Sequence, residues 1–255
     1  GSYLEDQTGL GFLTGMLYET SNYLLYPVVN AQTVYLQNYP YLSDENSEVM
    51  QKHYYYTAPG LYQNVLWPDI IAILNATGDV FNGMIAPQMD YQKELSLQTK
   101  KNLEFYTQHT EQVSGELGLS GDQIGNNPDD AEKLLQDQEY FSRTLPNYKF
   151  TVFSPGKMKE SSYAPYLGNT QKNSILSNIR TLLCSHENIG KKPLFSFYNN
   201  TVLSITSTMD GFTHKGSDEL LLRSLESALA FSNTELDFSR VLYPESDSDD
   251  WTKLS

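Results

Sequence analysis

The segment from residue 193 to 209 reads Pro-Leu-Phe-Ser-Phe-Tyr-Asn-Asn-Thr-Val-Leu-Ser-Ile-Thr-Ser-Thr-Met, and its alternation constrains the fold more than any other stretch. Leu203, Ile205 and Met209 fall on one side of an extended chain, and Ser204, Thr206 and Thr208 on the other. A side-chain period of two belongs to a strand, because a helix would scatter these residues around its axis. Asn199-Asn200 places two turn-forming residues between the apolar runs, so an antiparallel hairpin is expected here. Any fold for this chain must therefore contain a sheet.

Other short apolar runs extend that expectation. Ile70, Ile71, Ile73 and Leu74 form a β-branched-rich run, and Val80, Phe81, Met84 and Ile85 form its return. Residues 75–79, Asn-Ala-Thr-Gly-Asp, lie between them with Gly78 at the natural left-handed position, which predicts a first hairpin. Residues 148–153, Tyr-Lys-Phe-Thr-Val-Phe, alternate as a fifth strand, ended by Pro155-Gly156.

The remaining segments read as helical. Leu10, Leu13, Leu17, Leu24, Val28, Ala31 and Tyr35 recur mostly at three- or four-residue steps, which predicts a long amphipathic helix over residues 10–39, kinked near Pro27. Ser43 or Asp44 caps a second helix running to about Tyr56. Residues 90–145 form a helical insertion with a glycine-containing loop over 118–127. Within it, Asn127-Pro128-Asp129-Asp130 combines a cap, an early proline and two acids near the positive end of the helix dipole. Ile175, Leu176, Ile179, Leu182 and Leu183 share one face of a further helix stopping at Gly190. A helix capped by Ser217 and an acidic tail over 244–250 complete the chain. Five strands grouped two, one and two among helices predict an α+β domain with one antiparallel sheet. The segments are 3–66, helical; 67–215, the core with its insertion 90–145; and 216–255, helix and tail.

Charge and composition narrow the function. The chain carries 17 basic and 31 acidic residues, net −14, a field that repels polyanions, so no nucleic-acid partner is expected. No apolar run reaches the roughly 20 residues that a membrane-crossing helix needs. The opening Gly-Ser without an initiator Met reads as a cloning scar, so a longer parent protein is expected. The single cysteine, Cys184, excludes an internal disulfide, and its apolar neighbours favour a buried thiol over a nucleophile beside His186. With abundant Tyr, Asn, Ser and Thr, this suits a bacterial exported domain.

Catalytic and metal motifs are missing. The sequence has no Gly-x-Ser-x-Gly, phosphate loop, His-Glu-x-x-His or Gly-x-Gly-x-x-Gly pattern, and no catalytic residue is nominated. His53, His109, His186 and His214 form no i, i+4 pair, and Asp247, Asp249 and Asp250 lack the glycine and terminal Glu of a calcium loop, so neither metal nor cofactor is expected. Leu117-Gly-Leu-Ser-Gly-Asp122 reads only as turn-like.

The long leading helix, Trp67-Pro-Asp-Ile-Ile-Ala-Ile-Leu, the 75–79 turn, and Lys192-Pro-Leu-Phe-Ser-Phe followed by Val-Leu-Ser-Ile-Thr resemble Cache domains, the extracytoplasmic PAS-like sensors of bacterial receptors. The resemblance covers residues 10–210 and implies a PAS-like five-stranded antiparallel sheet flanked by helices behind a long N-terminal helix. It further implies sensing without catalysis, with a small molecule bound beside the sheet. No Arg-x-Trp-Tyr signature of amino-acid-binding members is present. On this reading Tyr148, Phe150, Phe153, Tyr163 and Tyr166 line a cup, with Ser204 and Thr206 facing it and Trp67 beside it; seam packing and a solvated sheet face are the alternatives. Homodimerisation through the N-terminal helix, an extracytoplasmic location and a membrane anchor outside this chain complete the expectation. A secreted or cell-surface binding or adhesion module is the alternative function.

Overall fold

The structure is a computed structural model, and it describes residues 16, 19–20, 32–39, 51–52, 55–56, 60, 62–78, 80–85, 108–109, 115–122, 129–185, 188, 191–207, 209–210 and 232–237. The strands are β1 (Gln32–Tyr39), β2 (Phe81–Ile85), β3 (Glu116–Ser120), β4 (Val152–Ser154), β5 (Thr181–Cys184), β6 (Phe195–Tyr198), β7 (Val202–Thr206), β8 (Met209–Asp210) and β9 (Ser232–Asp237). A π-helical turn, Tyr62–Leu66, leads into α1 (Trp67–Thr77); α2 is Asp130–Thr144 and α3 is Glu160–Tyr163.

The sheet order is β6-β7-β5-β4-β3-β2-β1-β9-β8. Every pairing is parallel except β6 with β7. The seven strands from β6 to β1 curl into a half-barrel, and β9 and β8 continue the sheet beyond β1. From β1 to β5 each strand lies beside its predecessor in sequence, so the chain winds in one direction. Parallel neighbours need a crossover, and α1, α2 and α3 with its following turns occupy three of them.

This replaces the five-stranded antiparallel PAS-like sheet and the end of its long N-terminal helix; residues 16, 19 and 20 of that helix are helical, and the rest of 10–31 lies outside the described residues. Residues 32–39, the end of the expected helix, are β1. The three- and four-residue steps pick out Ala31 and Tyr35 but skip Val34 and Leu36, which pack against or within the core as strand residues do. The expected first hairpin is α1 followed by β2, which pairs with β1 and not with residues 70–74. Its polar turn is a helix C-terminus: Gly78 sits at φ +73°, and its N–H donates to the Leu74 carbonyl at 2.8 Å. That is a left-handed helix cap, for which glycine is suited. Pro68 lies in the first turn, where its missing N–H costs little. The helix expected from Ile175 to Gly190 is turns followed by β5, with its last residues largely outside the described ones, and β3 lies inside the expected helical insertion.

Two local expectations match in part. The start signal at residues 127–130 does open a helix, α2, but its cap is Asp129, which accepts from the Glu132 N–H at 2.9 Å, two residues after the expected cap Asn127. Residues 195–206 form the β6–β7 hairpin, with Asn199 and Asn200 at φ 51° and 58°. The second helix, the Ser217-capped helix and the acidic tail lie largely or wholly outside the described residues. The sheet draws strands from all three sequence segments: β1 from the first, β2 to β8 from the second, β9 from the third.

Alternation along the strands creates two differently covered faces. Leu36, Ile85, Leu117, Leu119, Phe153, Leu182 and Cys184 point to the helical side, where they pack with Trp67, Leu74, Leu134, Tyr140, Phe141 and Tyr163. Tyr35, Met84, Val152 and Leu183, with Ile205 against them, form a separate cluster on the opposite face. Gly118 shares that face, because it pairs with Met84 across the ladder.

Candidate functional site

One step beyond this apolar layer, toward the carboxyl ends of the strands, the same face turns polar. Gln37, Ser120 and Ser154 occupy the next inward positions of β1, β3 and β4, and all are buried. In parallel α/β sheets the carboxyl ends, with their loops, are where ligands usually bind.

A bulge in β1 builds the site. Leu36 pairs with Gly83 and Tyr39 with Ile85, so three residue steps in β1 oppose two in β2. Asn38, at φ 58°, is left-handed within this irregular stretch. A bulge re-aims side chains, and here it lets Gln37 and Asn38 both reach the same neighbours while Tyr39 returns to the core. Two strand spacings, about 9.6 Å, separate β1 from β3. Their side chains nevertheless meet across the end of β2, as the concave side of a curled sheet permits.

Gln37 Nε2 donates to Ser120 Oγ at 2.8 Å and to Asp122 Oδ2 at 3.3 Å. Asn38 Nδ2 donates to the same carboxylate oxygen at 3.0 Å, and Ser120 Oγ donates to Asn38 Oδ1 at 2.8 Å. The Asp122 N–H closes the cluster on Ser120 Oγ at 3.2 Å. Both amides must turn their nitrogen to Asp122, since the reverse orientation would set oxygen against carboxylate. The other carboxylate oxygen accepts the Lys157 backbone N–H at 2.8 Å, from the turn after β4. Gly156 in that turn has φ +54°, and a Cβ there would collide with the Asp122 carboxylate. Glycine is thus required by backbone conformation and by close approach together.

Two features distinguish the cluster. Asp122 is half-buried, whereas Gln37, Asn38 and Ser120 are nearly sealed, so the carboxylate is the exposed part of a rigid assembly. Gln37 Oε1 is buried and has no hydrogen-bond partner among the described residues. A buried acceptor left without a donor costs about 1–3 kcal/mol, so the sealed end of the cluster carries an uncompensated polar atom.

The residues expected to line a cup lie elsewhere. Trp67, Phe150, Phe153 and Tyr163 are in the main core on the helical face. Phe150 stacks edge-on with Phe141, and Phe153 with Tyr163. Tyr148 packs against that core, its hydroxyl donating to the Leu117 carbonyl at 2.7 Å. Ser204 and Thr206 are buried: Ser204 Oγ lies 3.5 Å from Cys184 Sγ, and Thr206 Oγ1 donates to the Pro193 carbonyl. Tyr166 is exposed. Burial, with nearby Glu160 adding to it, holds the Tyr163 phenol well above its usual range, and burial does the same for Tyr140.

Gln37, Asn38, Ser120 and Asp122 were outside the expected site. The available signal was positional: each polar pair follows directly on a short apolar run, Val34–Leu36 and Leu117–Leu119, as strand-end ligand residues do. Among the described residues no cluster of three or more His, Cys, Asp and Glu side chains is placed to hold a metal ion. No family model matches this chain, and neither the curated proteins nor the solved structures provide a match.

Proposed function

We propose that this domain binds a small, neutral, polyhydroxylated molecule of the sugar or polyol class at the carboxyl ends of β1 and β3, without turning it over. The observation carrying this reading is the half-buried Asp122 carboxylate, held in place by Gln37 Nε2, Asn38 Nδ2 and the Lys157 N–H. Its two oxygens are acceptors, so the complementary ligand brings donors at closely spaced positions, which adjacent hydroxyls do. An anion would face Asp122 and a net charge of −14. The carboxyl-end location supports the reading by analogy of fold only and ranks below the geometry.

The small-molecule ligand expected from the sequence is retained, at a different place and on a different fold. The proposed setting is extracytoplasmic, in a membrane-anchored receptor, supported by the composition and the near-absence of cysteine. A surface-binding or adhesion module is the second reading, favoured by one observation: Phe195 and Phe197 lie exposed on edge strand β6.

The test is a thermal-shift and calorimetric screen of the whole chain against glucose, galactose, xylose, N-acetylglucosamine and sorbitol, with putrescine and citrate as charged comparators. A ligand at a hundredfold excess over Kd adds about 2.7 kcal/mol, enough to read. At least one neutral compound should stabilise the protein, recover unchanged after incubation, and lose its effect in Asp122→Ala. Response to citrate alone, or to none of the panel, sinks the proposal.

A further inference from the structure

Lys133 and Asp137 pair on α2 while 2 % and 0 % exposed, and the proposed ligand contacts use neither. Burying two charges costs several kcal/mol of desolvation, which their attraction often only repays, so such a pair is a weak stabiliser. Its position in the hydrogen-bond network suggests another role. Lys133 Nζ also donates to the backbone carbonyl of Ser120 at 3.3 Å. The N–H of that same peptide unit, on Gly121, donates to the Ser154 carbonyl at 2.7 Å. Hydrogen bonds in series through one peptide polarise and strengthen one another. The series from Asp137 through Lys133 and the Ser120–Gly121 peptide to Ser154 thus ties α2 to the ends of β3 and β4. Those two ends carry Asp122 and the turn whose Lys157 N–H holds its carboxylate.

We propose that Lys133 and Asp137 are positioning residues for Asp122: they fix the spacing of the β3 and β4 ends and so the aim of the carboxylate. The consequence for binding rests on the function proposed above; the positioning itself does not. A single Lys133→Met change removes the cation from a buried carboxylate and reads global stability, so the informative variant is Lys133→Met with Asp137→Leu. Replacing a buried ion pair by apolar groups of similar size is often neutral or stabilising.

Amide hydrogen exchange on the full chain reads the local effect without any ligand. The double variant should melt at the wild-type temperature or above it, while exchange at Gly121 and Lys157 accelerates tenfold or more relative to amides in β7. Affinity for any sugar that stabilises the wild type should fall at least tenfold. Wild-type exchange at Gly121 and Lys157 in the folded double variant overturns the inference. A double variant that cannot fold overturns it too, because the pair would then hold the fold and not the aim of Asp122. If wild type binds none of the sugars, the exchange comparison still decides, so the two proposals fail separately.

Discussion

Asn38 has two separable duties, a left-handed backbone and a side chain that holds Asp122 and Ser120. Asn38→Gly keeps the first and removes the second, so the proposed sugar binding should vanish while the fold persists. Asn38→Ala removes both, and should lower the unfolding free energy by about 1 kcal/mol relative to the glycine variant, because Ala disfavours positive φ. Urea melts of the two variants make the comparison. Gly156→Ala should be worse for binding than for folding, since its new methyl group meets the Asp122 carboxylate. Tyr140 and Tyr163 set an alkaline limit. Their phenols are held protonated by burial, so their folded pKa lies above the unfolded value of about 10. The associated stability is whole below that pH and is lost as pH rises from there toward the folded values. Tyrosinate absorbance and circular dichroism followed together should show these phenols ionising as the protein unfolds; ionisation in a still-folded chain contradicts this. None of the site's residues was legible as a site. Gln37 and Asn38 were absorbed in an apparent helix, and Ser120 and Asp122 in an apparent turn.

At the scale of elements, legibility followed the source of each signal. The start of α2 and the turn of the β6–β7 hairpin are local chemistry, written in three or four adjacent residues; the turn matches and the helix start is displaced by two residues, to Asp129. Asp129→Ala should accordingly cost about 1 kcal/mol, the usual worth of such a cap, measured by chemical denaturation. The central parallel strands carry no such marks. Buried on both faces, they read as brief apolar runs, which periodicity alone cannot separate from helix. β1 and β5 read as helix for that reason, whereas Gly118 and Gly121 make the β3 segment read as a turn. The error at residues 67–85 was subtler: Asn-Ala-Thr-Gly serves equally as a hairpin turn or as a helix C-terminus. What decides is burial of Trp67 and Leu74 on one helical face, a tertiary fact. Gly78→Ala offers a clean check, since no atom crowds a Cβ there and only φ is strained. Its expected cost is about 1 kcal/mol, from the left-handed backbone alone.

The described strands form one sheet whose order follows the chain from β1 to β5, with two departures: β7 lies between β5 and β6, and β9 lies beside β1. β1 is flanked by β2 and by β9, so residues 32–37 pair with 232–237 in continuous register. Deleting 232–237 should uncover the far side of β1 and cause concentration-dependent association, detectable by light scattering, because an unpaired strand edge recruits other chains. The same pairing has a meaning in time. Most of the sheet can assemble by adding each strand to one already made, but the β1–β9 join spans some two hundred residues of chain. Contacts so distant in sequence close slowly. During synthesis β1 emerges early and waits for its second neighbour until residue 237 has left the ribosome. Gln37 and Asn38 stand at the end of that waiting strand, so the polar cluster they build should acquire its final form only after β9 has docked.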